Sequence, residues 1–401
     1  MKCKPTANNF EISFTFSYRD TEKAEESDAL PSKRLDPLWT YKCDLTAGRT
    51  VSGMSWNEVQ RDVLAVSFCQ FEFSKQKGGL IVFWSLRTPA YPEKYIETPS
   101  GVTSVAFSKK SPQLLAAGCH DGSLIVYDIS RPENPHVKST FEDGKHSDAI
   151  WDLQWVDRGA ERGEMLVSSS TDGRVTMWSV KKGLEHSDLI KLKRVASKHG
   201  AGDVFISRNA SATALDFASF DPNIYIVATE DGHIHKCSCS YNEQYLETYS
   251  GHQGPVYRIR WAPHHPQVFM SCSADWSVKI WHCDTTVPLL TTQPCTEPVM
   301  DIAWSPRLST VFATVTRDGT IAVWNILHSL LDPIASVKLD KAPTRVLFSH
   351  VECPVLLAGD EDGVVHVFRL VNLDDTGLGM SPDEQRRKLE TAFATKVWNT
   401  K

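Results

Sequence analysis

Along most of this chain apolar and polar positions alternate in short runs broken by tight turns. One eleven-residue arrangement recurs seven times: SKQKGGLIVFW (74 to 84), AGCHDGSLIVY (117 to 127), SSSTDGRVTMW (168 to 178), VATEDGHIHKC (227 to 237), SCSADWSVKIW (271 to 281), TVTRDGTIAVW (314 to 324) and AGDEDGVVHVF (358 to 368). Each reads as a strand, a turn usually written Asp-Gly, and a second strand closing on a bulky residue, which is a hairpin signature. A further apolar strand precedes each hairpin and ends at Trp56, Phe107, Trp155, Phe217, Trp261, Trp304 and Phe348. Their successive separations are 51, 48, 62, 44, 43 and 44 residues, with a floor at the length of a four-stranded propeller blade. The intervals hold Pro, Gly and Asp clusters and no sustained helical period, so the sheets are antiparallel rather than crossed by helices.

The predicted class is therefore all-β: a seven-bladed β-propeller over 37 to 370, preceded by a mostly flexible extension (1 to 36) and followed by a tail with a short amphipathic helix (371 to 401). A lone blade cannot bury both faces, so its stability comes from packing on neighbours, and closing the ring removes exposed ends. LWTYKC, Leu38 to Cys43, precedes the first inner strand and has the composition of a closing strand. It is expected to pair with the last hairpin, Val355 to Phe368.

Polar residues recur at fixed offsets within the repeats. In the fifth, Ser271 lies four before Asp275, Trp281 six after it, and His252 nine before Trp261; the third repeats this with His146, Ser168, Asp172 and Trp178. These positions resemble the buried hydrogen-bond tetrad of WD-repeat proteins, which implies that a neutral histidine links the turn carboxylate to a hydroxyl and an indole N–H. The sixth repeat keeps Thr314, Asp318 and Trp324 but has Cys295 at the histidine position. The second, fourth and seventh keep only Asp121, Asp231 and Asp362, and the first has Gly78 in place of the aspartate, after the irregular stretch CQFEFSKQK (Cys69 to Lys77). Ser, His and Asp together also suggest a nucleophile and its base. A catalytic set occurs once, in a pocket, whereas these sets recur at repeat-locked positions where buried polar groups need partners. The reading is structural, with no catalytic residue and no enzyme activity.

Composition narrows the partners. A net charge of −6 gives no basic footprint for nucleic acid. No apolar run is long enough for a secretion signal or a membrane span, so the expectation is a cytoplasmic protein with no membrane partner. The ten cysteines are scattered singly, as small buried residues in a reducing compartment would be. His233 and His235 with Cys237 and Cys239 share one strand face, but their spacing matches no zinc pattern, and no P-loop sequence is present. No metal and no cofactor is expected.

The ends and insertions differ in character. FEISFTF (Phe10 to Phe16) alternates like a rim strand, while the acidic run after it reads as linker. Ala196 to Ala210 reads as a rim loop. Ser381, Pro382 and Glu384 form a capping-box helix start, followed by an apolar stripe of Leu389, Phe393 and Val397. That stripe either docks on the chain's own propeller or enters a partner's groove. Phe71 and Phe73, with Leu389 and Phe393, are accordingly the candidate partner contacts.

Longer stretches are more specific. His235 to Trp281 (HKCSCSYNEQYLETYSGHQGPVYRIRWAPHHPQVFMSCSADWSVKIW), GLIVFWSLRTPAYPE (79 to 93), KHSDAIWDLQW (145 to 155) and DLIKLKRV (188 to 195) resemble dynein intermediate chains. The likeness runs from about Asp36 to Leu370 and is greatest to the axonemal branch, within it to the inner-arm dynein f intermediate chain. It implies a non-catalytic subunit of a ciliary or flagellar axoneme, whose propeller binds the N-terminal tail of a dynein heavy chain beside a second intermediate chain. Light chains gather on an extended segment upstream of the ring in such proteins, and residues 1 to 36 are too few for a full arm of that kind. A ubiquitin-ligase substrate receptor or general scaffold is the alternative, but Tyr127-Asp128 is followed by Ile129 and Ser130, without the arginine such receptors carry. A propeller enzyme would need unmatched carboxylates or histidines on the inner strands, and Val102 to Phe107 and Val299 to Trp304 offer only Asp301.

Overall fold

Alternating strands joined by tight turns leave each sheet with two apolar faces to cover, and the chain does so by arranging the sheets in a ring. The computed structural model describes residues 33–70, 78–131, 135–159, 163–194, 209–293, 297–349, 355–372 and 380–398. Phe10 to Phe16, Phe71, Phe73, Cys295 and most of Ala196 to Ala210 lie outside the described residues.

The first strand, β1 (Arg34–Tyr41), is followed by blade 1 with β2 (Thr50–Trp56), β3 (Val63–Cys69), β4 (Gly79–Ser85) and β5 (Lys94–Thr98). Blade 2 holds β6 (Val102–Phe107), β7 (Leu114–Cys119), β8 (Leu124–Asp128) and β9 (Pro135–Lys138). Blade 3 holds β10 (Ile150–Asp157), β11 (Glu164–Ser170), β12 (Arg174–Ser179) and β13 (Glu185–Lys191). Blade 4 holds β14 (Ala212–Phe217), β15 (Ile224–Thr229), β16 (His233–Ser238) and β17 (Glu247–Ser250). Blade 5 holds β18 (Val256–Trp261), β19 (Val268–Ser273), β20 (Val278–His282) and β21 (Leu290–Thr292). Blade 6 holds β22 (Val299–Trp304), β23 (Val311–Thr316), β24 (Thr320–Asn325) and β25 (Ala335–Lys338). Blade 7 holds β26 (Pro343–Phe348), β27 (Val355–Asp360) and β28 (Val365–Val371), with β1 as its fourth strand.

Each blade is a four-stranded antiparallel sheet, and the inner strands touch in a full circle, β2 to β6 and on through β26 back to β2. The core lies between blades: Ala65, Ile81 and Phe83 of blade 1 are buried with Val105 and Leu115 of blade 2, and the same pairing recurs around the ring.

The closing strand is placed differently from the sequence reading. It spans Arg34–Tyr41 instead of Leu38 to Cys43, and pairs with β28 from Arg34↔Val371 to Tyr41↔Val365. Pro37, which lacks a backbone donor, lies inside this strand. An outer strand tolerates it, and a bulge between Pro37 and Trp39 resets the register just beyond. Arg34 to Asp36 thus belong to the ring and not to the extension.

A bulge also recurs at one place in every inner strand. The ladder skips Ser52, Thr103, Trp151, Thr213, Tyr257, Met300 and Thr344. A bulge re-aims the extra side chain, and four of these residues carry hydroxyls that bridge to the next blade. Ser52 Oγ donates to Val102 O, Thr103 Oγ1 to Ile150 O, Thr213 Oγ1 to Val256 O and Thr344 Oγ1 to Val51 O. The last of these ties blade 7 to blade 1, so the ring is joined at its inner layer as well as through β1.

Five hairpin turns place a glycine at positive φ, from 76° at Gly122 to 96° at Gly319, whereas blade 5 puts Trp276 there at 66°. Blade 1, the least regular unit in sequence, has four ordinary strands. At its second hairpin strand a Cβ on Gly79 would lie 2.3 Å from Ser100 O, so close backbone approach explains the glycine where other units carry the turn.

Candidate functional site

The turns and strand positions of blades 3 and 5 bring together both polar quartets. In blade 3 His146 Nδ1 is 3.0 Å from Asp172 Oδ2, His146 Nε2 is 2.7 Å from Ser168 Oγ, and Trp178 Nε1 donates to Ser168 Oγ at 2.8 Å. Blade 5 repeats this with His252, Asp275, Ser271 and Trp281 at 2.9, 2.7 and 2.8 Å. The consistent proton assignment has Nδ1–H donating to the carboxylate and Nε2 accepting from the serine, whose oxygen in turn accepts the indole N–H. Burial lowers His252 and keeps it neutral. Burial alone would raise Asp275 and Asp172, but hydrogen bonds from His252 and Ser277, and from His146, outweigh it and hold both carboxyls well below the usual range.

The geometry superficially matches a nucleophile and its base, but Ser168 and Ser271 are completely buried and their oxygens accept the indole N–H. Nothing can approach them, so the set joins the two middle strands of a blade to the preceding loop. Blade 6 keeps the outer half, with Trp324 Nε1 donating to Thr314 Oγ1 at 3.0 Å. In blade 1, where Gly78 stands in place of the aspartate, the buried Trp84 Nε1 has no hydrogen-bond partner among the described residues.

The inner strands are more charged than Asp301 alone suggested. Asp152, Asp216, Arg258, Asp301 and the half-buried Arg260 and Arg345 all lie on them. Arg258 Nη1 is 2.9 Å from Asp152 Oδ2 and its Nε 3.5 Å from Asp301 Oδ1, while Arg260 Nη1 is 3.6 Å from Asp152. The carboxylates are also spent on backbone: Asp216 accepts from Trp261 N at 2.5 Å and Asp301 from Val346 N at 3.0 Å, each across a blade boundary. They are matched structural carboxylates and not a free acid–base pair. The signal was present in the sequence: Asp152, Arg258, Asp301 and Arg345 each stand three before a closing aromatic, and alternate strand residues share a face.

His235 stacks on Tyr245, ring centroids 3.8 Å apart, and burial takes it down to about 3. Cys237 beside it is buried and pushed up to about 12. Among the described residues no group of three or more His, Cys, Asp or Glu could hold a metal ion, the cysteines are all free, and no helix is long and apolar enough to cross a membrane.

The tail forms a helix, α1 (Pro382–Trp398), whose capping box is in place: Ser381 N donates to Glu384 Oε2 at 2.9 Å and Glu384 N to Ser381 Oγ at 3.3 Å. Leu389 and Phe393, carried as candidate partner contacts, are buried with Ala392 against blades 5 and 6. Gln385 fixes the helix by bonding Arg307 O, Ser309 N and Ser309 Oγ at 3.0, 3.1 and 2.8 Å. Leu389 and Phe393 are thus used within the chain, because a short helix holds its shape only when its apolar face is packed. We expect Leu389→Ala to cost about 2–3 kcal/mol and to strip hydrogen-exchange protection from α1 while the blades keep theirs; unchanged protection of α1 would show that Leu389 does not hold it.

Comparison with known proteins decides the family. Residues 44–153 match the model described as the dynein axonemal intermediate chain 3 WD40 domain, and residues 137–179, 243–282 and 287–325 match the WD domain, G-beta repeat. Dynein axonemal intermediate chain 4 of Mus musculus is 42% identical over 379 residues, covering 89% of this chain and 46% of that protein. The chain belongs to the axonemal dynein intermediate chain family.

Its Xenopus laevis relative of the same description is 45% identical over 289 residues, covering 67% of the chain and 39% of the relative. Dynein intermediate chain 2, ciliary, of Heliocidaris crassispina is 35% identical over 289 residues, 71% and 41% of the two chains. This intermediate chain therefore spans less than half the length of the curated relatives it matches, and the Mus musculus alignment is long enough to take in most of the ring.

Proposed function

We propose that this chain is a non-catalytic intermediate chain of an inner-arm axonemal dynein, and that its propeller binds the N-terminal tail of a heavy chain, beside a second intermediate chain, to assemble and regulate the motor of ciliary and flagellar beating. The observation that carries this is the 42% identity to dynein axonemal intermediate chain 4 of Mus musculus across 89% of the chain. The physics agrees with a platform. Every blade is stitched to its neighbours through side chains and backbone, the serine–histidine pairs are sealed, and a closed ring presents adaptable loops on a rigid frame. The segment that holds Phe71 and Phe73, which lies outside the described residues, remains the proposed contact, since aromatics anchor interfaces, and the axoneme is the proposed location. Affinity purification of the chain from ciliated cells, with peptide identification, tests the reading. Recovery of an axonemal heavy chain is expected; recovery of ubiquitin-ligase adaptors without motor subunits would overturn it.

A further inference from the structure

The inner strands of blades 5, 6 and 7 line a cavity of about 230 Å³ to which Met54 of blade 1 also contributes. Its walls combine Arg258, Arg260 and Arg345 with the aromatic rings of Trp261, Trp304 and Phe348, and Asp301 is the carboxylate among them. Asp152, Asp216 and Asp301 of the inner strands face these three arginines, but their oxygens are largely taken up by backbone. Asp301 already accepts backbone N–H groups from Ile302 and Val346, and Asp152 accepts from Leu153 and Leu215, so both carboxylates are shared between guanidinium and backbone. Arg258 sits within ion-pair distance of both, yet among the described residues its buried Nε and Nη1 complete no aligned hydrogen bond. The hydrogen bonds of Arg345 among the described residues go to carbonyls, Ser52 O at 2.6 Å from Nε and Thr344 O at 3.3 Å from Nη1. A half-buried guanidinium hydrogen-bonded only to neutral acceptors recovers little of its desolvation cost, and an unsatisfied buried donor calls for an explanation such as an ion.

We propose that this cavity binds an oxyanion, a carboxylate or phosphate group held by Arg260 and Arg345 between the aromatic walls. Arginine forks suit planar and tetrahedral oxyanions alike. Arg260 is more than a third exposed, so the group enters from solvent past it, and Arg345, hydrogen-bonded to carbonyl oxygens, supplies charge at the inner wall. Burial and the nearness of Arg258 bring Arg345 down to about 10, so it stays cationic at neutral pH in a setting that an incoming anion relieves. The two sources of such a group are free phosphate and an acidic side chain of a bound protein segment.

The test uses the full chain, with inorganic phosphate and N-acetylglutamate amide as probes, against chloride at equal ionic strength in thermal denaturation. A saturable rise in Tm of about 2 °C at tenfold excess over Kd is expected with at least one probe, and it should vanish in Arg345→Gln. Because Arg345 also bonds blade 1, Arg260→Gln provides a second variant if the first fails to fold, and Lys341→Gln, on the surface, should keep the response. A response to phosphate alone assigns the site to the free anion; a response to N-acetylglutamate amide assigns it to an acidic partner segment. No saturable rise with either probe, or a rise that survives both arginine variants, overturns the proposal.

Discussion

Removal of Arg34 to Tyr41 is expected to abolish cooperative folding. Strand β1 pairs with β28 over seven positions, and its two buried apolar side chains serve different cores. Leu35 packs with blades 6 and 7, while Tyr41 lies with blades 7 and 1, its ring 5.0 Å from that of Trp84. Burying two large side chains contributes about 1.5–3 kcal/mol each and each ladder hydrogen bond about 1 kcal/mol. The loss is therefore on the order of 5–10 kcal/mol, comparable to the whole net stability of a domain. It also bares the edge of β28, a template for aggregation. The measurement is denaturant unfolding of the truncated chain followed by tryptophan fluorescence; a transition matching the parent in midpoint and slope would mean that β1 does not close the ring.

The second large effect is expected at Asp275. Its carboxylate accepts from His252, from Gln253 N and Ser277 N at 3.1 Å each, and from Ser277 Oγ at 2.6 Å. Asp275→Ala strands these donors and is expected to cost about 2–3 kcal/mol. Asp231→Ala, in a turn without the histidine relay and with a 3.7 Å ion pair to Arg194 as its sole side-chain partner among the described residues, should cost less than about 1 kcal/mol. Equal losses at the two sites would mean that the relay adds nothing.

The quartet also makes the protein acid-sensitive in two stages. His252 and His235 are held neutral by burial, below their ordinary 6.5. As pH falls through 6.5 the unfolded chain takes up protons that the folded chain does not, so stability present above 6.5 declines. Asp172 and Asp275 are depressed below their ordinary 3.8. Their contribution is complete above 3.8 and is lost as pH falls toward the folded values. The denaturation midpoint of the parent should thus drop between pH 7 and 5 and again below about pH 4. A midpoint unchanged from pH 7 to 5 would speak against a neutral His252.

The blades were legible because a period-two pattern fixes which side chains go inward, and Asp-Gly turns fix where strands end. The quartets were legible because repeat units hold equivalent residues at equal offsets. Those two regularities missed β1's true start, where a proline on an outer strand removes no needed hydrogen bond. They missed the charged inner strands too, since Asp152 and Arg258 look like ordinary polar positions until the strands are set side by side. The tail is an intermediate case. Ser381 and Glu384 announced the helix, while its choice of blades 5 and 6 rests on Gln385 meeting Arg307 and Ser309, residues far away in sequence.

By itself, the sequence of this intermediate chain determined the number of sheets, the order of their strands, the sealed polar quartets and the family, because all of these are carried by local periodicity and repeated spacing. The tertiary structure alone decided where the closing strand begins, where α1 lies and that three arginines meet around one cavity. Those outcomes depend on contacts between residues up to about three hundred positions apart, such as Thr344 with Val51, and loop-closing contacts of that range leave no local pattern to read.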